Sequence, residues 1–360
     1  MAGGPAGSPS RPQIRLHFND VDDDPKKNHG FLVAMSTLQP FLVSKVLQLA
    51  ACLALSVAGG ASAGDKPADA PGQAVLPAKV KRVVFVGDSI TYAGMYVGFV
   101  EAYFVTRYPG RTIEFINLGL PSETVSGLTE EGHAGGKFPR PDLHERLPRV
   151  LKEARPDLIF ACYGMNDGIY LPLNEERFGK FKEGMEWLHQ QVTKAGAAIV
   201  HVTPPTFDEI TGGHAGYSAV LGKYSEWLLG QRAAAGWDVV NVHGPMDTYL
   251  AERRKRDPKF AYAGDGVHAN DAGHWIIAKQ ILLHLGAKDV AELADGKAIV
   301  AAFRHGEEVL KLVQRRHELM KDAWLTATGH KRPGMKEGLP LAEAQSKAAG
   351  MEVEIRALVK

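Results

Sequence analysis

The sequence has few of the residues that build covalent or metal-linked frameworks. Only two cysteines, Cys52 and Cys162, occur in 360 residues. They can form at most one disulfide, and a zinc site with four cysteine ligands is excluded. The 14 histidines include neither a His-x-His pair nor a His-Glu-x-x-His motif. We therefore expect a fold that depends on its apolar core, without a structural metal.

The chain also lacks an excess of charge of either sign. Lysine and arginine number 42 against 41 aspartates and glutamates, which gives a formal charge of +1. Nucleic acids and anionic membranes are bound by strongly basic surfaces. The glycine-rich phosphate loop with its Gly-Lys-Ser/Thr ending is absent as well. We expect no nucleic-acid or nucleotide partner, and the near-neutral charge weakly favours an uncharged substrate over an anionic polymer.

No apolar run is long enough for a transmembrane helix. The run over 46–59 extends over about 14 residues, whereas a spanning helix needs about 20. It leads to Ala61-Ser62-Ala63, which has the small-x-small pattern of a signal-peptidase site. We interpret 1–63 as a disordered leader and signal peptide, with Met35 as the initiator. The mature protein is then periplasmic or secreted, and it keeps no stable insertion in the membrane.

A second interpretation of the same region stays open. Residues 49–52 read Leu-Ala-Ala-Cys, which resembles a lipoprotein signal in which Cys52 is lipidated. Apolar residues continue beyond Cys52, and this favours the plain cleaved signal. Residues 64–80 contain three prolines and several small residues, so we expect an exposed linker there.

After the linker, short apolar runs alternate with longer amphipathic runs up to residue 287. The short runs predict strands at 83–86, 112–117, 157–162, 197–202 and 237–242. The longer runs predict helices at 95–107, 143–154, 175–195, 217–235 and 271–285. Repeated strand–helix units indicate a parallel sheet with helices on both faces. The fold class is therefore α/β, a three-layer α/β/α domain with a five-stranded parallel sheet over 81–287.

Four motifs follow predicted strands or precede the last predicted helix. Residues 87–91 read Gly-Asp-Ser-Ile-Thr, 117–122 read Asn-Leu-Gly-Leu-Pro-Ser, 164–167 read Gly-Met-Asn-Asp and 265–268 read Asp-Gly-Val-His. Parallel α/β folds place ligand chemistry in the loops beyond the carboxyl ends of the strands. Each motif alone is weak, but together they supply the separate parts of one reaction.

These motifs resemble the four sequence blocks of the SGNH hydrolase, or GDSL esterase/lipase, superfamily. The resemblance spans about 81–285 and implies a flavodoxin-like SGNH hydrolase fold. It assigns Ser89, Gly119, Asn166 and His268 to the Ser, Gly, Asn and His of the four blocks, with Asp265 in an Asp-x-x-His spacing. The second block departs from the family, which often has a further glycine where this chain reads Pro121-Ser122.

The chemistry of these residue types leads to the same mechanism. A serine hydroxyl needs a base to take its proton, and His268 suits that task near neutral pH. Asp265 would orient the imidazole. The backbone amides of Ser89 and Gly119 and the side chain of Asn166 are the expected oxyanion donors. The expected reaction is ester hydrolysis through an acyl-enzyme, and it requires no cofactor.

The expected substrate is a small or carbohydrate ester that carries a short acyl group such as acetyl. A lipase or phospholipase activity and a non-catalytic carbohydrate-binding module on the same fold remain as alternatives. Residues 124–140 and 203–216 either rim the active site or are solvated loops. Residues 288–360 predict a helical extension, with helical stretches over 310–324 and 341–358. Its apolar stripe either packs on the hydrolase domain, which is the more economical arrangement, or forms an oligomer.

Overall fold

A single sheet of five parallel strands lies at the centre of the computed structural model, which describes residues 76–360. The strands are β1 (Arg82–Gly87), β2 (Glu114–Gly119), β3 (Leu158–Cys162), β4 (Ala198–Val202) and β5 (Asp238–Val240). Their order in the sheet is β2-β1-β3-β4-β5, with every neighbouring pair parallel. The predicted leader, signal peptide and Cys52 lipidation site lie outside the described residues.

Ten α-helices accompany the sheet within residues 76–360. They are α1 (Ser89–Ala93), α2 (Met95–Arg107), α3 (Leu143–Ala154), α4 (Glu175–Lys194), α5 (Glu209–Gly212), α6 (Tyr217–Ala234), α7 (His243–Arg256), α8 (Asp271–His284), α9 (Gly306–Thr328) and α10 (Leu341–Leu358). The chain steps from β1 to β2 in one direction along the sheet and then moves in the opposite direction through β3, β4 and β5. Because such crossovers are right-handed, α2 covers one face while α3, α4 and α6 cover the other. α8 packs against α2, and the predicted three-layer fold is confirmed.

The strands read as almost unbroken apolar runs because both of their faces are covered. Val83, Val84, Phe85 and Val86 of β1 are fully buried, and the ring of Phe85 stacks on Phe160 of β3 with 5.1 Å between centroids. Parallel strands that are buried on both faces take this pattern. The alternation of apolar and polar residues that marks a half-solvated sheet is therefore missing.

The carboxyl ends of the first three strands are level with one another. Gly87 at the end of β1 pairs in register with Gly119 of β2 on one side and with Cys162 of β3 on the other. The loops that leave these strands therefore start from the same edge of the sheet. This alignment brings three of the four sequence motifs together.

The chain before β1 is anchored to the domain by two buried side chains. Leu76 and Val80 are buried, at 2% and 4% exposure, and the guanidinium of Arg111 donates a hydrogen bond to the carbonyl of Leu76. The expected exposed linker over 64–80 is thus wrong for Leu76 and Val80, whose apolar side chains join the core of the domain, whereas residues 77–79 are exposed. Residues 64–75 of that linker lie outside the described part of the chain.

Helix α7 was not predicted from the sequence, and neither were the short helices α1 and α5. Of the α7 side chains, only Met246 and Leu250 are buried, and the last turn of α7 holds Arg253, Arg254, Lys255 and Arg256. Two buried residues four positions apart give a weak apolar pattern. α7 packs against α6 and α8 at the β5 end of the sheet.

The C-terminal extension packs on the same chain. α9 lies against α2 and the edge strand β2, and α10 packs along α9. Trp324 and Leu325 belong to the main core, while Val313 and Ile355 form a second apolar cluster with Val105 of α2. A buried ion pair between Glu101 of α2 and Arg316 of α9 joins the two parts. The apolar stripe of α9 is therefore covered in cis, as the more economical arrangement predicts.

Candidate active site

Ser89 lies directly beyond the carboxyl end of β1, at the first residue of α1. Asp88 caps this short helix, with its Oδ1 accepting a hydrogen bond from the backbone N–H of Ile90 at 2.9 Å. Gly87 is required before it, because a Cβ there would lie 2.6 Å from the carbonyl oxygen of Cys162. The tight strand-to-helix turn holds the Ser89 side chain at the edge of the sheet.

His268 and Asp265 reach Ser89 from the loop before α8. Nε2 of His268 lies 2.7 Å from Oγ of Ser89, and Nδ1 of His268 lies 2.6 Å from Oδ2 of Asp265. Because an ionised carboxylate only accepts hydrogen bonds, the imidazole proton sits on Nδ1, and the lone pair of Nε2 faces the serine hydroxyl. The arrangement can take the hydroxyl proton and then stabilise the imidazolium that results.

The Asp265 turn is held by its own backbone. Oδ1 of Asp265 accepts hydrogen bonds from the N–H groups of Val267 and His268, at 3.0 and 2.8 Å. Gly266 has a φ of +82°, and a Cβ there would lie 2.4 Å from Cα of Gly212 in α5. The glycine therefore lets α5, which belongs to the predicted rim segment 203–216, press against the Asp265–His268 turn.

The electrostatics of the turn keep Asp265 ionised. Partial burial raises its pKa, but the hydrogen bonds from the His268 side chain and from the two backbone N–H groups lower it more, to about 2. About half of each side chain is exposed, at 57% for Asp265 and 50% for His268. The pair lies at an open surface that a bulky substrate can approach.

Asn166 lies beyond the end of β3 and is 4% exposed. Its Nδ2 donates to the carbonyl of Glu123 at 3.2 Å, and its Oδ1 accepts from Nη1 of Arg140 at 2.9 Å and from the hydroxyl of Tyr170 at 3.2 Å. Asp167, the next residue, ties the two loops together, since its carboxylate accepts three backbone N–H groups, those of Val125, Ser126 and Gly164. The amide side chain is thus fixed beside the loop that follows β2.

Gly119 does not have the role that the resemblance assigns to it. Its backbone N–H donates to Oδ1 of Asn117 at 2.9 Å, and a Cβ at this position would lie 2.2 Å from the backbone nitrogen of Tyr92. The N–H is therefore already used inside the sheet edge, and the glycine is needed because α1 packs directly on it. The expectation that Gly119 donates to an oxyanion is wrong.

In the turn that follows β2, Ser122 rather than Gly119 is the candidate for a backbone donor to the oxyanion. Leu120, Pro121, Ser122 and Glu123 form a β-turn closed by the Glu123 N–H to Leu120 carbonyl bond at 3.1 Å, and Ser122 has a φ of +67°. Proline at the second position and a positive φ at the third are typical of a type II turn, whose third position favours glycine. This is the site where the family often has its further glycine. The Pro121-Ser122 pair was the sequence signal for it.

A buried ion pair fixes this turn from behind. Nε and Nη2 of Arg146 bind the two carboxylate oxygens of Glu123 at 2.6 and 2.7 Å, and the Tyr163 hydroxyl donates to the same carboxylate at 2.7 Å. Both charged side chains are fully buried. Arg146 also donates to the carbonyl of Leu118 at 2.7 Å. Sequence reasoning missed this network, because its members lie on three different elements.

Residues 76–360 contain neither a metal-binding cluster nor a membrane-spanning helix. No group of three or more His, Cys, Asp or Glu side chains in this part of the chain is arranged to hold a metal ion. None of its helices has the length and apolar character that a bilayer-spanning helix requires. Cys162 is a buried free thiol at the end of β3.

The solved structures to which the chain is similar include a gut microbial diltiazem-metabolizing enzyme, with 22% identity and a TM-score of 0.48 over 61% of this chain and 49% of that chain. They also include the acetylxylan esterase Axe2 from Geobacillus stearothermophilus (21% identity, TM-score 0.45, 57% of this chain and 94% of that chain). A third is LAE5, an alpha/beta hydrolase enzyme from the metagenome of Lake Arreo, Spain (23% identity, TM-score 0.43, 58% of this chain and 96% of that chain). The match thus spans about half the length of the first of these proteins. No curated protein matches the chain.

The model of the GDSL-like Lipase/Acylhydrolase family matches residues 85–276, which is more than half of the chain. The matched segment begins within β1, ends within α8 and contains Ser89, Asn166, Asp265 and His268. This chain therefore belongs to the GDSL-like Lipase/Acylhydrolase family.

Proposed function

We propose that the protein is a serine esterase that works through an acyl-enzyme on Ser89. The observation that carries the proposal is the continuous chain of contacts from Asp265 through His268 to Ser89, with distances of 2.6 and 2.7 Å. These three residue types in this geometry are the parts that acyl transfer to a serine needs.

In the first half of the reaction, Oγ of Ser89 attacks the carbonyl carbon of the ester while Nε2 of His268 takes the hydroxyl proton. The tetrahedral intermediate collapses by breaking the bond to the alcohol oxygen, which receives that proton from His268. In the second half, water repeats the attack with His268 again as the base, and the acid leaves with Ser89 restored. Asp265 stays ionised throughout and stabilises the imidazolium.

The oxyanion would be stabilised by three donors beside Ser89. They are the backbone N–H of Ser89, the backbone N–H of Ser122 and Nδ2 of Asn166, and Ser122 takes the place that the sequence resemblance gave to Gly119. The contact between Asn166 and the carbonyl of Glu123 supports this assignment, because it joins Asn166 to the turn that contains Ser122. Loss of one such donor typically lowers the rate by a factor of about 100 to 1,000.

The proposed substrate is a short acyl ester, such as an acetyl group on a carbohydrate or a small alcohol. The half-exposed His268 and Asp265 support a bulky polar leaving group, since nothing in the described fold closes over them. The near-neutral charge of the chain favours an uncharged substrate. Leu171, between β3 and α4, and Ile210, on α5, are 46% and 60% exposed, and they are candidates for contact with a longer acyl chain if the enzyme were a lipase.

Two measurements test this proposal. The first compares kcat/KM for 4-nitrophenyl acetate and 4-nitrophenyl palmitate, and we expect the acetate to be preferred. A strong preference for palmitate would replace the short-acyl esterase by a lipase. The second follows fluorophosphonate labelling in Ser89→Ala, with Ser218→Ala on helix α6 as the matched control. Labelling and hydrolysis should be lost only in Ser89→Ala, and their persistence there would reject Ser89 as the nucleophile.

A further outcome would point to the non-catalytic alternative. If wild-type protein bound acetylated xylo-oligosaccharides but hydrolysed neither these nor 4-nitrophenyl acetate, the fold would serve as a binding module. We also propose export after cleavage behind Ala63, on the strength of the sequence pattern there. Mass spectrometry of the mature N-terminus decides this point, because cleavage before a lipidated Cys52 would leave a different and heavier terminus.

A further inference from the structure

We propose that Arg140 and Tyr170 are positioning residues that lock the Asn166 side chain in the orientation that donates to the oxyanion. The inference rests on the proposed function and adds to it two residues outside the four sequence motifs. It follows from the contacts that surround a single amide group.

The amide of Asn166 has a defined orientation because each end meets a partner of one kind. Its Oδ1 lies 2.9 Å from Nη1 of Arg140, and a guanidinium can only donate. Its Nδ2 lies 3.2 Å from the carbonyl oxygen of Glu123, which can only accept. If the amide were rotated by 180°, its Nδ2 would face Nη1 of Arg140, which is also a donor, and its Oδ1 would face the carbonyl oxygen of Glu123, which is also an acceptor. Neither hydrogen bond could then form. The second N–H of Nδ2 is then the one that would donate a hydrogen bond to an oxyanion.

Arg140 is itself held in place. Its Nε and Nη2 bind the carboxylate of Glu130 at 2.7 and 2.6 Å, and its side chain is 5% exposed. Three of its nitrogens are thus used in a fixed fork, with Nη1 directed at Asn166. The ion pair compensates the buried charge, so that Arg140 can contact Asn166 without placing a free cation in the site.

Tyr170 supplies a second donor to the same oxygen from a strained backbone. Its hydroxyl lies 3.2 Å from Oδ1 of Asn166, and its ring lies 5.5 Å from the guanidinium carbon of Arg140. Ile169 and Tyr170 both have left-handed φ values, 47° and 58°. Positive φ is a clear outlier for a β-branched residue such as Ile169, and strain of this kind persists where the surrounding structure enforces it and often marks a functional site.

Tyr217 provides the enforcement. Its hydroxyl donates to the carbonyl of Met165 at 2.6 Å, and its ring packs on the Tyr170 ring with 4.9 Å between centroids. A Cβ on Gly168 would lie 2.6 Å from the Tyr217 hydroxyl, so the chain passes this point without a side chain. The strained turn therefore places Tyr170 against Asn166 and Arg140, and a relaxed turn would remove the Tyr170 hydroxyl from the amide.

The test measures kcat and KM for 4-nitrophenyl acetate in Arg140→Met, Tyr170→Phe, Asn166→Ala and the double variant Arg140→Met/Asn166→Ala. Because Arg140 acts through Asn166, we expect Arg140→Met to lower kcat by about 10- to 100-fold, with KM changed by less than about threefold. Tyr170→Phe keeps the ring and should lower kcat by about two- to fivefold. The double variant should match Asn166→Ala within about threefold.

Arg149→Met is the matched control, since Arg149 also binds a glutamate, Glu145, but has no contact with Asn166. Its kcat should stay within about threefold of the wild-type value. Phenylboronic acid gives a second readout, because its tetrahedral adduct on a serine places an oxygen in the oxyanion position. Its affinity should fall in parallel with kcat/KM across the variants, whereas the affinity for acetate should not.

The outcomes separate this inference from the proposed function. An inactive wild-type enzyme that fluorophosphonate does not label would overturn both. An active wild type with an unchanged kcat in Arg140→Met, or a double variant in which the two losses multiply, would overturn only the positioning role. If Arg140→Met does not fold, as judged by its thermal unfolding, Arg140→Lys and Tyr170→Phe provide the same comparison, and unchanged kcat in both would reject the inference.

Discussion

Nε2 of His268 and Oγ of Ser89 lie 2.7 Å apart although 179 positions separate the two residues in the chain. The contact joins two distant segments at the sheet edge, because Ser89 follows strand β1 while His268 precedes α8, which packs on α2. Any change in which nitrogen of the imidazole carries the proton therefore directly affects the hydrogen bond to the serine hydroxyl. Asp265 sets this tautomeric state through its contact with Nδ1 of His268.

Asp265→Asn should lower kcat by at least about 100-fold while the protein stays folded. The asparagine Oδ1 can still accept from the backbone of Val267 and His268, so its NH₂ group would face Nδ1 of His268. The imidazole would then carry its proton on Nε2, facing Ser89, and could not take the hydroxyl proton. Steady-state hydrolysis of 4-nitrophenyl acetate and thermal unfolding of the variant measure the two effects.

Asp271→Asn is the control for this prediction. Asp271 is an exposed acidic residue three positions beyond His268, at the first turn of α8. A loss of activity above about threefold in this variant would show that negative charge near the site, rather than the contact of Asp265 with His268, supports the reaction.

Ser122→Gly should keep kcat within about threefold of the wild-type value, whereas Ser122→Val should lower it at least about tenfold. Glycine keeps the backbone N–H and accepts the φ of +67° without strain. A β-branched valine at positive φ would shift the turn and its N–H. Active-site titration with a fluorophosphonate, followed by kcat per labelled site, separates misfolded from misaligned enzyme.

Gly119→Ala provides the opposite case. Its Cβ would meet the backbone of α1 at 2.2 Å, so we expect a large loss of thermal stability and a low fraction of labelled protein. A well-folded Gly119→Ala with a normal melting temperature and a low kcat would show that Gly119 does serve the oxyanion.

The sequence predicted the repeating parts of this molecule well. α2, over Met95–Arg107, and α3, over Leu143–Ala154, have the predicted ends, because a clear apolar pattern meets clear stops there. The residues of the Ser89, Asn166 and His268 motifs were also predictable, since consecutive parallel strands end at one edge of the sheet. The register of Gly87 with Gly119 and Cys162 shows why this reasoning works.

The roles of Gly119 and Arg140 lay beyond sequence reasoning for a common reason. The Gly119 N–H is bound by a side chain two residues earlier, and the direction of the Asn117 amide depends on its contact with the Thr91 carbonyl at 2.7 Å in another element. Arg140 lies 26 positions from Asn166, in a loop without a repeating pattern. Such contacts depend on how loops pack on one another, and a single sequence carries no periodic signal for this packing.

Arg146→Met should destabilise the fold by about 3–5 kcal/mol, because it leaves the carboxylate of Glu123 buried without its partner. Both side chains of the pair are fully buried. The double variant Glu123→Gln/Arg146→Met should be less destabilised than Arg146→Met alone, since it removes the unpaired charge. Urea unfolding at neutral pH measures the free energy of unfolding of the three proteins.

Arg82→Met is the comparison for that pair. Arg82 binds Glu114 at 2.9 Å, but the two side chains are 28% and 36% exposed. Surface pairs of this kind contribute about 1 kcal/mol or less. If the two arginine variants lost equal amounts of unfolding free energy, burial of the Arg146–Glu123 pair would not determine its contribution to stability.

The free energy of unfolding of Asp88→Asn, measured relative to that of the wild type, should increase as the pH rises from 5 to 8. Burial raises the pKa of Asp88 to about 7, with the backbone hydrogen bond from Ile90 lowering it less and the charge of Asp167 raising it further. The folded state therefore holds a proton on Asp88 that the unfolded chain, with an aspartate pKa near 3.8, has already lost. Stability from the neutral carboxyl is full below about pH 4 and declines until about pH 7.

Asparagine keeps the cap on α1, because its Oδ1 can accept from Ile90, but it does not titrate. The difference in unfolding free energy between the two proteins should change by about 2–4 kcal/mol over this pH range, as urea unfolding at pH 5 and pH 8 would show. A difference that stays the same between pH 5 and pH 8 would show that Asp88 is ionised in the folded protein throughout.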